Sequence, residues 1–189
     1  GWKPVPQMQK MNDATFMTNC TVLSAGQPFG TSGPASKITS TIMATAFAQT
    51  TTARQVICRG AFSLTAFDTL MAPVVARWPQ DDQELFWLAP KTPPPMSAAG
   101  VVAWAGPEGR PLLVYHDTLS EPIGYFEINP MPADFGHYWL GHCILRPDLR
   151  GGGRGRLMIS LGLELAFREQ RAYRVSLVVF PENVPAIRC

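Results

Sequence analysis

An α/β chain with a mixed central sheet and flanking helices is predicted by three observations. Residues 112–116, 122–128 and 137–145 are three strand-like runs joined by connections too short for crossovers, so they pair antiparallel. A helical stretch over 153–170 places Leu157, Leu161 and Leu165 on one face beside Met158. The nearly continuous apolar run 175–180 follows it, and reads as a strand buried on both faces. The helix between 137–145 and 175–180 makes that pair a parallel, right-handed crossover.

In chain order, residues 1–53 show no sustained period, and turn formers interrupt them at Gly26-Gln27-Pro28 and over 30–34. Residues 14–53 are rich in Ser, Thr and Ala and contain no acidic residue. The segment reads as a low-complexity, disordered N-terminal extension, and the folded domain as residues 54–189. Residues 56–58 suit a first strand. Over 63–78 the apolar positions Phe67, Leu70, Met71, Val74 and Val75 recur at three- and four-residue steps. This predicts a helix capped by Ser63 and kinked or split by Pro73. Residues 82–88 form a second short helix. Ser97 caps a third over 98–105, ended by Gly106-Pro107. Glu164 and Arg168 are spaced for a favourable i,i+4 pair on the long helix.

The chain has 189 residues, 46% hydrophobic, enough for a core. Its net charge of +2 is mild and local to one loop, which excludes a general nucleic-acid binder. No Cys-x-x-Cys occurs among Cys20, Cys58, Cys143 and Cys189, so zinc and thioredoxin chemistry are not expected. Cys143 reads as a reduced core thiol, which points to a reducing, cytoplasmic compartment. No stretch reaches the roughly 18 to 20 apolar residues that span a bilayer.

The functional signal is the run Leu145-Arg146-Pro147-Asp148-Leu149-Arg150-Gly151-Gly152-Gly153-Arg154-Gly155-Arg156. A glycine-rich turn between strand and helix leaves backbone N–H groups pointing one way, and the positive end of the helix dipole adds to them. Together they form a cradle for phosphate, made electropositive by the arginines. It is not a P-loop, because no Lys-Ser/Thr pair follows the glycines. It is not a dinucleotide fingerprint, because residue 156 is arginine. A flexible surface loop with solubilising arginines is the competing reading.

Arg150-x-x-Gly153-x-Gly155 resembles the Arg/Gln-x-x-Gly-x-Gly/Ala signature of the GNAT acyl-CoA N-acetyltransferases. Leu145-Arg146-Pro147 looks like that family's hydrophobic-x-Pro lead-in, and Asn183-x-x-Ala186 is similar to its next motif. The resemblance implies a GNAT fold, acetyl-CoA as co-substrate without a metal, and direct transfer to an amine in a ternary complex. The acceptor is a small-molecule or protein amine, with no nucleic acid and no membrane as partner. The sequence sets neither the acceptor nor an oligomeric state. A non-catalytic CoA-binding or sensory domain is the alternative.

By the same resemblance the pyrophosphate falls on the amides of Gly151, Gly152, Gly153, Arg154, Gly155 and Arg156. Arg150 and Arg146 flank it, pantetheine meets the Leu145 backbone, and Asn183 approaches the cofactor. The family's terminal strand pair and its thiolate-protonating tyrosine would fall past Cys189. For a general base, Glu127 is a polar residue in an apolar strand, where burial would raise its pKa. Its alternative is a solvated outward position. His142 lies close to the point where, by the resemblance, the strand before the glycine loop splays from the next, and has a suitable intrinsic pKa, though a packed sheet histidine competes with that reading. Strand alternation puts His142 on the face opposite Leu145 unless a bulge intervenes. His116 and His137 read as surface residues at strand ends. Tyr138, Trp139, Trp104 and Trp87 line an acceptor pocket or belong to the core.

Overall fold

The computed structural model describes residues 20–24 and 55–189. The strands are β1 (Cys20–Ser24), β2 (Gln55–Arg59), β3 (Phe62–Ala66), β4 (Arg110–His116), β5 (Gly124–Pro130), β6 (His137–Leu145) and β7 (Arg174–Val178). They form one sheet in the order β1-β7-β6-β5-β4-β3-β2. Neighbours are antiparallel except β6 and β7, which are parallel. The helices are α1 (Ala72–Val75), α2 (Asp82–Leu88), α3 (Ala98–Trp104), α4 (Arg154–Arg168) and α5 (Val184–Ile187).

Two apolar clusters cover the two faces. Phe126, Ile128, Leu140, Leu112 and Val114 of the sheet pack under Met158, Leu161 and Leu165 of α4. A Cβ on Gly162 would stand 2.8 Å from Phe126, so the missing side chain is what lets α4 lie this close. On the other face Leu113, Tyr125 and Ile144 pack with Ala72, Val75, Trp78 and Val101 from the α1–α3 layer. Glu164 pairs with Arg168 at 2.7 Å, as its spacing predicts, and also with Arg59 at 2.8 Å.

The segment 63–78 corrects the expectation of one helix. Residues 62–66 form β3 instead, with Leu64 fully buried and registered opposite Val114. The partner strand β4 outweighs the three- and four-residue periodicity, which holds only from Asp68 onward. Asp68, not Ser63, caps the turn Thr69–Met71, accepting from the Leu70 N–H at 2.9 Å. Pro73 sits at the start of α1, where its missing N–H costs nothing, and so opens a helix instead of kinking one. Asp81 and Ser97 cap α2 and α3 through bonds of 2.7 and 3.1 Å.

Within the segment read as an extension, Cys20–Ser24 pairs with β7, from Cys20↔Val178 to Ser24↔Arg174. The rest of that segment lies outside the described residues.

The β6–β7 pair positions the site. Its register runs from His137↔Arg174 only to Leu140↔Leu177. Beyond it β6 continues along β5 to Gly124↔Leu145, while β7 ends at Val178. The two strands therefore part at Gly141. Phe86 of α2 and Phe180, 5.1 Å apart between ring centroids, meet past the end of β7.

Candidate active site

The turn after β6 is built from three successive left-handed glycines, Gly151 (φ 79°), Gly152 (φ 57°) and Gly153 (φ 78°). Only glycine adopts such a run without strain. Gly153 is the N-cap of α4, and no side chain caps the helix. The first-turn amides and the helix dipole are thus presented to whatever lies against the loop.

The four arginines around this turn are used differently. Arg146 forms a fork on Asp148, at 2.8 and 3.0 Å, with Glu121 at 3.9 Å. Arg150 donates to Glu84 Oε1 at 2.6 Å, to the Trp78 carbonyl at 3.0 Å and to the Leu145 carbonyl at 3.2 Å. Arg156 donates to the Cys189 carbonyl at 3.1 Å. Arg154 folds back over the loop, with Nη1 3.3 Å from where a Gly152 Cβ would stand. Asn183 caps α5, its Oδ1 accepting from the Ala186 N–H at 3.2 Å, which is the local reason for asparagine three residues before Ala186.

Beside the point where β6 and β7 part, a bulge reorders the β6 side chains. Tyr125 registers with Ile144 but Glu127 with Gly141, so β6 carries one extra residue there, and His142 takes φ 46°. His142 lies opposite Leu145, as alternation predicts. The phase slip between Gly141 and His142 makes that the Glu127 face as well.

Glu127 is 1% exposed, so the solvated alternative does not hold. Tyr125 Oη donates to its Oε1 at 2.6 Å, and Asn129 Nδ2 to its Oε2 at 3.2 Å. His142 Nδ1 lies 3.0 Å from Oε2, close enough to pair electrostatically but off line for a good hydrogen bond. The ring of His142 stacks on Trp104 (4.7 Å, 5°) and meets the edge of Trp139 (6.2 Å, 62°). Trp104 is itself held by its Nε1, which donates to Thr92 at 2.9 Å.

The charge state of Glu127 differs from the expectation of a raised pKa. Burial pushes it up, but His142, Tyr125 and Asn129 together outweigh burial and hold it below the ordinary carboxylate value. Glu127 is therefore a fixed anion next to an imidazole. Burial, and then the Glu127 charge, push the Tyr125 phenol above its ordinary range and the Cys143 thiol up to about 12. Both stay protonated near neutrality.

Trp104 and Trp139 thus line the His142 site. Tyr138 instead donates to the Gln170 carbonyl at 3.4 Å, and Trp87 is half-buried on α2. His137 is not a surface residue: it is buried between Asp134 at 3.1 Å and Ser176 at 2.7 Å. That network joins residues 39 apart in sequence, so the position of His137 at a strand end did not reveal it. The carboxylate ends of Arg146 and Arg150, Asp148 and Glu84, were also missed. Asp148 lies two residues from its partner and could have been found by spacing. Glu84 lies 66 residues away and could not.

Among the described residues no cluster of three or more His, Cys, Asp and Glu is arranged to hold a metal, and no helix is long and apolar enough to cross a membrane.

A mixed sheet whose parallel strands part beside a glycine turn and an uncapped helix N-terminus is the architecture that the glycine signature's resemblance implied, and the comparisons agree. Residues 69–189 match the family model described as "Acetyltransferase (GNAT) family". The chain belongs to the GNAT acetyltransferase family, and is an acyltransferase. Among solved structures, it is similar to a ribosomal-protein-S5-alanine acetyltransferase from Vibrio fischeri. The TM-score is 0.54 at 14% identity, covering 71% of this chain and 79% of that one. It is also similar to a spermidine N-acetyltransferase from Vibrio cholerae in complex with CoA and spermine. There the TM-score is 0.56 at 17% identity, covering 69% and 78%. At these identities the likeness is one of fold. No curated protein matches the chain.

Proposed function

We propose that this enzyme moves an acetyl group from acetyl-CoA to a primary amine in a ternary complex, with His142 as general base. The observation that carries the reading is the run of left-handed glycines 151–153 opening an uncapped α4 beside the parted strands. The pyrophosphate would lie on the amides from Gly151 to Arg156, with Arg154 as the counter-charge above them. The pantetheine arm would run into the opening between β6 and β7, and the Asn183 amide would face it. The family's co-substrate supplies the activated acetyl group; the chain supplies position and a proton acceptor.

In this reading the amine gives up its proton to His142 Nε2, and its nitrogen attacks the thioester carbonyl carbon. The C–S bond breaks, and the CoA sulfur leaves as a thiolate that takes a proton from water. Glu127, fixed as an anion against Nδ1, favours the imidazolium that forms. The ordered Glu127–His142–Trp104 array supports catalysis over a purely cofactor-binding role. Both small amines, such as the spermidine named for one structural neighbour, and protein amines, as for the other, belong in the test panel.

Calorimetry with acetyl-CoA tests the cradle. Gly153→Asp puts an anion and a Cβ at a φ of 78° in the loop, and binding should be lost while the melting transition stays cooperative. Unchanged affinity would remove the reading.

A further inference from the structure

We propose that Arg150, the first residue of the glycine signature, is a positioning residue that ties the cofactor loop to the α1–α3 layer, and not a ligand for the pyrophosphate. The proposal rests on the reading of the loop as the acetyl-CoA cradle.

One guanidinium satisfies acceptors on three separate elements. Nε reaches the Leu145 carbonyl at the end of β6, Nη1 reaches Glu84 on α2, and Nη2 reaches the Trp78 carbonyl just after α1. Arginine suits this use because its donors form a rigid planar fork. The acceptors are themselves held. Glu84 Oε2 accepts from the Gln80 N–H at 2.9 Å, and the Gln80 amide donates to the Trp78 carbonyl at 3.1 Å. Trp78 is 3% exposed and shares a core with Val75, Val101, Tyr125 and Ile144. Tyr125 in turn holds Glu127. A path therefore runs from the loop to the Trp78 carbonyl, through the apolar cluster that Trp78 shares with Tyr125, and by the Tyr125 hydroxyl to Glu127 beside the proposed base.

The charge arrangement argues against a direct phosphate contact. Arg150 and Glu84 are both about two-thirds shielded, at 33% and 28% side-chain exposure, and 2.6 Å apart. Turning Arg150 to a phosphate would break that pair and leave the Glu84 carboxylate unpaired near a second anion. Arg154, folded over Gly152, needs no such rearrangement. Cofactor bound on the amides would stiffen the turn, and the three bonds of Arg150 would pass that order to residues 78–88.

The test uses CoA as the probe. Backbone hydrogen exchange is measured with and without CoA on the wild type, Arg150→Ala, Glu84→Ala and the double variant, with calorimetry on each. In the wild type CoA should slow exchange over both 145–157 and 78–88. In the variants protection of 78–88 should vanish while 145–157 keeps its own. The Kd should rise by about fivefold or more in each single variant, and no further in the double. The sign at Glu84 is decisive, since removing a carboxylate near a phosphate site by charge alone tightens binding. If Arg150→Ala weakens CoA while Glu84→Ala tightens it or leaves it unchanged, Arg150 contacts phosphate and the proposal fails. It also fails if 78–88 stays protected in the variants. Should an alanine variant not fold, Glu84→Gln, which keeps an acceptor for Nη1, decides the matter. It should retain protection of 78–88, and a tightened Kd without that protection would overturn the tie. A wild type that binds no CoA would instead remove the cradle reading, before any variant is compared.

Discussion

Under α4 the buried sheet residues are apolar: Leu64, Leu112, Val114, Phe126, Ile128, Leu140 and Val175 meet Met158, Leu161 and Leu165. The opposite face, under α1–α3, holds all four buried polar residues found among the described ones. Thr65 registers with Leu113, Glu127 with Gly141, and Ser176 with Trp139, while His137 alternates with Trp139 on the same side. A buried polar group costs stability unless it is paired, so this distribution is not what folding alone would choose. One face has been given to packing. The other carries groups whose partners must be supplied one by one, and the bulge at His142 serves only the second. Substitutions on the two faces should therefore differ in kind, costing stability alone under α4 and, at the polar groups opposite, chemistry or a pH dependence as well.

The largest effect is expected at His142. His142→Gln keeps a polar side chain of similar reach but removes the basic nitrogen. Turnover should fall by about 10²- to 10⁴-fold with little change in melting. A drop of only a few-fold, with an unchanged pH–rate profile, would leave the acceptor face without a base and reduce it to packing like the other.

Glu127 gives a pH signature of intermediate size. Its carboxyl is held below its ordinary value of 4.5, with burial opposing and His142, Tyr125 and Asn129 prevailing. A carboxyl with a lowered folded-state pKa stabilises the protein above its unfolded pKa, and that stabilisation is lost as pH falls through the folded value. Glu127→Gln should thus cost about 1–3 kcal/mol near neutrality. The gap to the wild type should close on acidification below pH 4.5. A gap that widens on acidification would mean that the carboxyl is protonated in the native state and the sequence expectation of a raised pKa was right.

The packing face was the more legible of the two. The bounds of β6 were readable outright, and those of α4 to within two residues, because a period-two or period-3.6 pattern reports a buried apolar surface directly. The cap at Ser97 and the glycine turn are likewise local. What failed was non-local. Residues 63–66 carry a helix-compatible spacing but are claimed by β4, a strand that begins more than forty residues later. The phase slip at His142 has no signature in alternation, since the pattern on either side of it is regular. The lowered pKa of Glu127 depends on partners on two strands, and burial alone pointed the other way. The partners of Arg150 come from elements 5, 66 and 72 residues away, so the signature revealed the loop but not what its arginine holds.

The smallest expected effect is at the sheet edge, where the two faces meet. Sequence pattern alone makes everything before Arg54 dispensable. The pairing of Cys20–Ser24 along β7 argues otherwise, because β7 flanks the opening proposed for pantetheine. Without β1, the outer N–H and C=O groups of β7 would face water, and Val175 and Leu177 would lie on an uncovered edge strand. A chain beginning at Arg54 should still unfold cooperatively, since among the described residues both apolar clusters lie within 55–189. Its melting temperature should fall by about 2–4 °C for each kcal/mol that the five-pair ladder contributes. Amide exchange in 174–178 should quicken while that in 112–116 does not. Equal melting and equal exchange in the two chains would show that β1 adds nothing to β7, and that the extension is dispensable as its composition suggests.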